Sequence, residues 1–166
     1  MTVNDKKIEI LELLEKDSRL EVEKIAKMTD LSVEETNQLI SEMERDHIIA
    51  GYSTLIDWTK VLDYEGVTAM IDVKVTPTRG VGFDKVAERI YRFPEVEAVY
   101  LMSGAYDLSV LIEAKTMSDI GRFVSDKLST LESVLSTTTH FVLKKYKHDG
   151  IIFEGDDDDK RIMVTP

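Results

Sequence analysis

Residues 31–49 read LSVEETNQLISEMERDHII. Ser32 is a strong N-cap residue, and Glu35 three positions later completes a capping box, so a helix starts here at a defined point. Val33, Thr36, Ile40 and Met43 recur at helical spacing and make one inward face, with Leu39 beside it. Glu34, Asn37, Gln38, Ser41, Glu42 and Arg45 occupy the other face. A short helix of this kind, following a helix and a turn, is how a helix-turn-helix lays its second helix in the major groove of DNA.

The flanking sequence supplies the remaining parts. Residues 5–16 predict a first helix with Ile8, Leu11 and Leu14 inward, and residues 22–28 a shorter one with Val22, Ile25 and Met28 inward. Thr29-Asp30 makes the turn. After His47 the pattern becomes IIAGYSTLID, which predicts a β-hairpin, or wing, turning at Gly51.

From Val67 the chain alternates. Val67, Ala69, Ile71, Val73 and Val75 are interleaved with Thr68, Met70, Asp72 and Lys74, a half-buried strand stopped by Pro77 and Gly80. Phe83, Val86, Ala87 and Ile90 make a helix face that Pro94 ends. Strands at 96–102 and 107–113 follow, joined by Ser103-Gly104-Ala105-Tyr106. Met117, Ile120, Val124 and Leu128 make a second helix, and 135–146 a long last strand. The order β-α-β-β-α-β is the split ferredoxin-like unit, an antiparallel sheet with both helices on one face.

The predicted fold is therefore α+β, a winged helix-turn-helix followed by a βαββαβ ferredoxin-like domain. Its divisions are 1–57 for the first domain, 58–66 for a linker, 67–152 for the second domain and 153–166 for an acidic tail with a short strand, RIMVT. The DDDDK in that tail also matches a protease-cleavage tag, but the apolar residues after it favour a natural solvated loop.

Bulk composition narrows the function. The chain has 166 residues, 43% hydrophobic and 32% charged, as in globular proteins, and no cysteine for disulfides or thiolate metal sites. The N-terminus is polar, without the apolar core of a signal peptide, and no apolar run approaches the ~18 residues that span a bilayer. A cytoplasmic protein is expected. Net charge is −11, and residues 1–60 hold 8 Lys or Arg against 14 Asp or Glu. That balance opposes phosphate contacts, so binding to nucleic acid would need locally clustered cations or several linked subunits.

The whole chain to about residue 152 resembles the leucine-responsive regulatory protein / AsnC (Lrp/AsnC) family of prokaryotic transcription regulators. DSRL at 17–20, IAKMTDLS at 25–32, ERDHIIAGYSTLID at 44–57, SGAYDLSV at 103–110 and STTTHFVL at 136–143 carry the resemblance. It implies an N-terminal DNA-binding domain and a C-terminal domain that binds small effectors, often amino acids. It also implies homodimers built through the C-terminal sheets and assembled into octamers or discs. The sequence departs from the family where recognition helices usually carry Arg or Lys: here stand Gln38, Leu39, Ser41 and Glu42. His47 stands where Gly is common.

For double-stranded DNA, Asn37 and Gln38 are the expected base readers, because an amide can pair bidentately with adenine. Ser32, Ser41 and Arg45 lie on the same helix, and Lys24 and Lys27 on the preceding one are expected phosphate contacts. A solvated helix face is the plainer alternative for the amides. For an amino-acid effector, the expected residues are Ser103, Gly104, Ala105, Tyr106, Asp107 and Thr138. Gly104 can take positive φ and bring N–H groups to a carboxylate, Asp107 can accept from an ammonium group, and Tyr106 offers a wall with a polar tip. The alternative is a turn whose aspartate caps backbone N–H groups. No cofactor, metal site or catalytic residue is expected: His47, His140 and His148 lack metal-ligand spacing, and Gly80-Val81-Gly82 lacks the context of a phosphate loop. The chain reads as a regulator, not an enzyme. A metabolite-sensing or assembly protein with little DNA binding, or an enzyme's regulatory subunit, remain as alternatives.

Overall fold

A computed structural model describes residues 2–61, 63, 66–76 and 82–153. The chain divides into two compact units, 1–56 and 57–166. The stop at Pro77 and Gly80, the residues Gly80-Val81, the DDDDK run and the RIMVT strand lie outside the described residues. No described helix is long and apolar enough to cross a membrane.

Three helices build the first unit: α1 (Val3–Lys16), α2 (Val22–Thr29) and α3 (Val33–Arg45). Reciprocal capping boxes start two of them, Thr2 with Asp5 and Ser32 with Glu35. At the other end of α2, Asp30 takes the left-handed conformation (φ 54°), and Lys6 Nζ donates to the Thr29 carbonyl at 2.6 Å. A terminal carbonyl without a helical partner is thereby satisfied from α1. Ile10, Ile25 and Met43, one from each helix, are fully buried at the centre, ringed by Leu11, Leu13, Leu14, Leu31, Leu39 and Ile40 among others.

Two inward faces differ from expectation. Ile8 is 55% exposed and Met28 57% exposed. The buried positions are Ile10, with Leu11, Leu13 and Leu14 partly buried beside it, and Ile25, Ala26 and Thr29. A step of three residues falls short of the 3.6-residue turn by about 60°, so a stripe read at i, i+3, i+6 drifts off the core. The wing also differs: residues 48–57 form no paired strand. The chain reverses earlier, at His47, which takes φ 55°, and the Ile48 and Ile49 N–H groups both donate to the Met43 carbonyl, at 2.8 and 3.1 Å. Gly51 does not take positive φ, so no tight hairpin turn forms there.

The second unit holds β1 (Val67–Val75), α4 (Asp84–Tyr91), β2 (Val96–Leu101), β3 (Leu108–Ala114), α5 (Met117–Phe123) and β4 (Val134–Phe141). A π-helical turn, Val124–Leu128, continues α5. The sheet order is β2-β3-β1-β4 with every ladder antiparallel, the ferredoxin-like arrangement. Ala69, Ile71, Val73 and Val75 point to one face, where they pack with Leu108, Val110 and Ile112 against Val86 and Ile90 of α4 and Ile120 and Phe123 of α5. The alternate residues Met70, Asp72 and Lys74 therefore lie on the face away from the helices.

The last strand is shorter than expected, ending at Phe141 where the predicted run continued to 146. A small hairpin follows, β5 (Lys147–His148) with β6 (Ile151–Ile152). Asp149 and Gly150 join them with φ of 43° and 78°, the paired positive values of a type I′ turn. Asp-Gly between short strands is itself a hairpin signal in the sequence.

Candidate DNA-reading face and effector loop

The capping box gives α3 its fixed start, and the cap engages Ser32 fully. Its Oγ accepts the Glu35 N–H at 3.1 Å, and its hydroxyl donates to Glu35 Oε2 at 2.8 Å. Ser32 thus sits at the helix entrance with its hydroxyl proton already used. The Ser32 N–H and hydroxyl hold the Glu35 carboxyl below its ordinary range. Asn37, Gln38, Ser41 and Arg45 are exposed on the outward face, and Lys24 and Lys27 are exposed on α2. Arg45 contacts Asp46 at 3.1 Å, an exposed pair of little energetic weight that can yield to a phosphate.

Glu42 is the residue that the sequence left without a role. Lys7 of α1 reaches it at 3.2 Å, and Gln38 Nε2 donates to its Oε1 at 3.3 Å. The Lys7 and Gln38 bonds hold the Glu42 carboxyl below its ordinary range. A pairing across 35 positions of sequence leaves no periodic signal, which is why Lys7 was missed.

In the second unit, the loop between β2 and β3 is closed by the Met102 N–H donating to the Asp107 carbonyl at 2.8 Å. Ser103, Gly104 and Ala105 are exposed at its tip, while Tyr106 and Asp107 are half-buried. Tyr106 reaches over β1 to β4, its hydroxyl 2.7 Å from Thr138 Oγ1. The register pairs Thr138 with Asp72, away from the helices, whereas Thr137 and Thr139 pair with buried Val73 and Ile71. Of the expected residues, the structure brings Tyr106 and Thr138 together, while Asp107 engages β1. Gly104 corrects one expectation. It does not take positive φ, and a Cβ there would meet nothing within 4 Å. No glycine-only geometry is used at that position.

Asp107 is held by β1. Its Oδ2 accepts the Val75 N–H at 2.9 Å, and its Oδ1 contacts Lys74 Nζ at 3.3 Å. The β1–β3 ladder ends at Val73–Leu108, and the β1–β4 register slips between Lys74 and Val75. The carboxylate caps this irregular strand end. The Val75 N–H, and then Lys74, pull its pKa below the usual carboxylate value. A depressed folded pKa stabilises the fold above the unfolded value of about 3.9, and that contribution disappears as pH falls through the folded pKa. Asp107→Asn is accordingly expected to be less stable than the parent near neutrality, with the gap closing as the pH drops below about 4. Urea unfolding of both proteins across pH 7 to 3 measures the gap, and a gap independent of pH would refute the charge-based account.

Comparison with known proteins places both units. The family model of the Lrp/AsnC ligand binding domain matches residues 68–152, and that of a winged helix-turn-helix DNA-binding domain matches residues 3–50. YugG of Bacillus subtilis, described as an uncharacterised HTH-type transcriptional regulator, is 64% identical over 166 residues, spanning 100% of both chains. That alignment runs through the acidic tail, which therefore has a counterpart in the relative. An HTH-type transcriptional regulator of Pyrococcus furiosus is 33% identical over 149 residues, 90% of this chain and 97% of its own. Among solved structures, a transcriptional regulator of Neisseria meningitidis in complex with L-Met superposes with a TM-score of 0.70 at 24% identity, over 89% of this chain and 94% of its own.

Proposed function

This chain belongs to the Lrp/AsnC family of transcriptional regulators, and on that premise we propose that it is a cytoplasmic regulator whose assembly on DNA responds to an amino acid. The carrying observation is a capped α3 that presents Asn37, Gln38, Ser41 and Arg45 to solvent, in a chain that also holds a ligand-binding domain. Asn37 and Gln38 read base edges, while Lys24, Lys27 and Arg45 contact phosphates. An amino acid seats at Ser103–Asp107 beside Thr138, and the methionine bound by the Neisseria relative names the ligand class to screen first. Homodimers and higher rings link several DNA-binding units, each acidic overall with few outward cations, and raise their effective concentration.

The test is fluorescence anisotropy of the full chain on duplex DNA from upstream of its own gene, across a salt series. Each neutralised phosphate adds about −0.9 to the slope of log K against log salt, so three cations per subunit give ~−3 per subunit. Specific binding with that slope, altered by one of the amino acids, supports the proposal. A folded oligomer that binds neither this fragment nor any selected from a genomic library would overturn it.

A further inference from the structure

Resting on the reading of Gln38 as a base contact, the geometry assigns Lys7 and Glu42 a positioning role: they hold the Gln38 amide in the orientation that reads adenine. A carboxylate only accepts hydrogen bonds, so the contact between Gln38 and Glu42 fixes which end of the amide faces inward. Nε2 donates to Glu42 Oε1 at 3.3 Å, which turns Oε1 of Gln38 outward. One Nε2 hydrogen is used by Glu42. A bidentate pair with adenine requires the other, on the same side of the amide as Oε1, to be the one left free. An outward acceptor beside an outward donor is the pattern that matches adenine N6–H and N7 in the major groove. The reverse orientation would present N–H donors alone, which match the two acceptors of guanine, N7 and O6, and not the donor and acceptor of adenine.

Glu42 can do this beside DNA because it does not stand as a bare negative charge. Lys7 Nζ lies 3.2 Å from its Oε2, and both side chains are mostly shielded. The two oxygens of one carboxylate thus serve two partners, the α1 lysine and the α3 amide. An acidic residue on a recognition helix would ordinarily repel the phosphates. Here it is neutralised from behind and aims a neighbour four residues earlier, one helical turn along the same face.

The test uses the full chain and a pool of duplexes with a randomised core, from which the preferred site of the parent is selected. Parent, Gln38→Ala, Glu42→Ala, Glu42→Gln and the Gln38→Ala/Glu42→Ala double variant are then compared on that site and on single-base-pair variants of it. Thermal unfolding establishes that each is folded. Gln38→Ala is expected to erase the preference at one A·T pair, and Glu42→Ala to weaken the preference at that same pair by about 5-fold or more. Adding Glu42→Ala to Gln38→Ala should change nothing further there. Glu42→Gln, which keeps an acceptor oxygen, should restore part of the preference. A folded Glu42→Ala protein with the parent's preference intact would overturn the positioning role while leaving Gln38 as a reader. A Gln38→Ala protein with every preference intact would overturn both.

Discussion

Met43→Ala is expected to unfold the DNA-binding unit while leaving the sheet domain folded. Met43 is fully buried where α3 meets α1 and α2, and among the described residues it shares the hydrophobic centre with Ile10 and Ile25. Truncating a buried methionine costs about 2–5 kcal/mol. A core of this size rarely supplies more than about 3–5 kcal/mol in total. The loss is therefore comparable to the whole reserve of a unit of 56 residues. Amide hydrogen exchange would show protection lost across α1, α2 and α3 and retained in β1, β3 and β4. DNA binding would vanish with it. Retained protection in α3 would mean that the helices draw support from something beyond their own core.

Asn37→Ala is expected to produce the opposite combination, an intact fold with damaged recognition. Asn37 is exposed on the outward face of α3. Replacing it removes one amide from the reading surface and costs the folded helix little, since alanine is the best helix former. A good bidentate amide contact is worth about 1–3 kcal/mol of discrimination, roughly 5- to 150-fold in affinity for the preferred site. Affinity for unrelated DNA, which rests on phosphate contacts, should stay within error of the parent. Anisotropy titrations on preferred and scrambled duplexes, with a melting curve for each protein, separate the two. Equal weakening on both duplexes would place Asn37 among the phosphate contacts instead.

Much of this architecture is legible in the sequence because local rules and tertiary packing agree. The capping box at Ser32 and Glu35 places the start of α3, and the alternation from Val67 to Val75 reveals β1 and its buried face directly. Legibility fails where the deciding partner is distant or the local signal is ambiguous. Ile8 looks inward by a three-residue count, yet the turn of the helix carries it out of the core. Gly51 looks like the tip of a hairpin, but His47 has already reversed the chain. Glu42 looks like a repulsive charge because its counterion, Lys7, belongs to another helix. Asp107 stands in a loop whose sequence suggests ligand chemistry, while the fold also employs it to finish a strand.

That double employment of Asp107 makes a single backbone proton informative. The Val75 amide is protected by a side-chain carboxylate beyond the last ladder pair of β1 and β3. Its exchange with deuterium therefore depends on what Asp107 is doing as well as on the β1–β4 pairing that sets Val75 opposite Val134. A ligand whose ammonium group captures the carboxylate would leave that amide bare and speed its exchange. A ligand that seats against Tyr106 and the loop tip alone would immobilise the loop and slow it. The chain thus carries its own isotope-sensitive beacon, one that distinguishes two modes of occupancy without an attached reporter group.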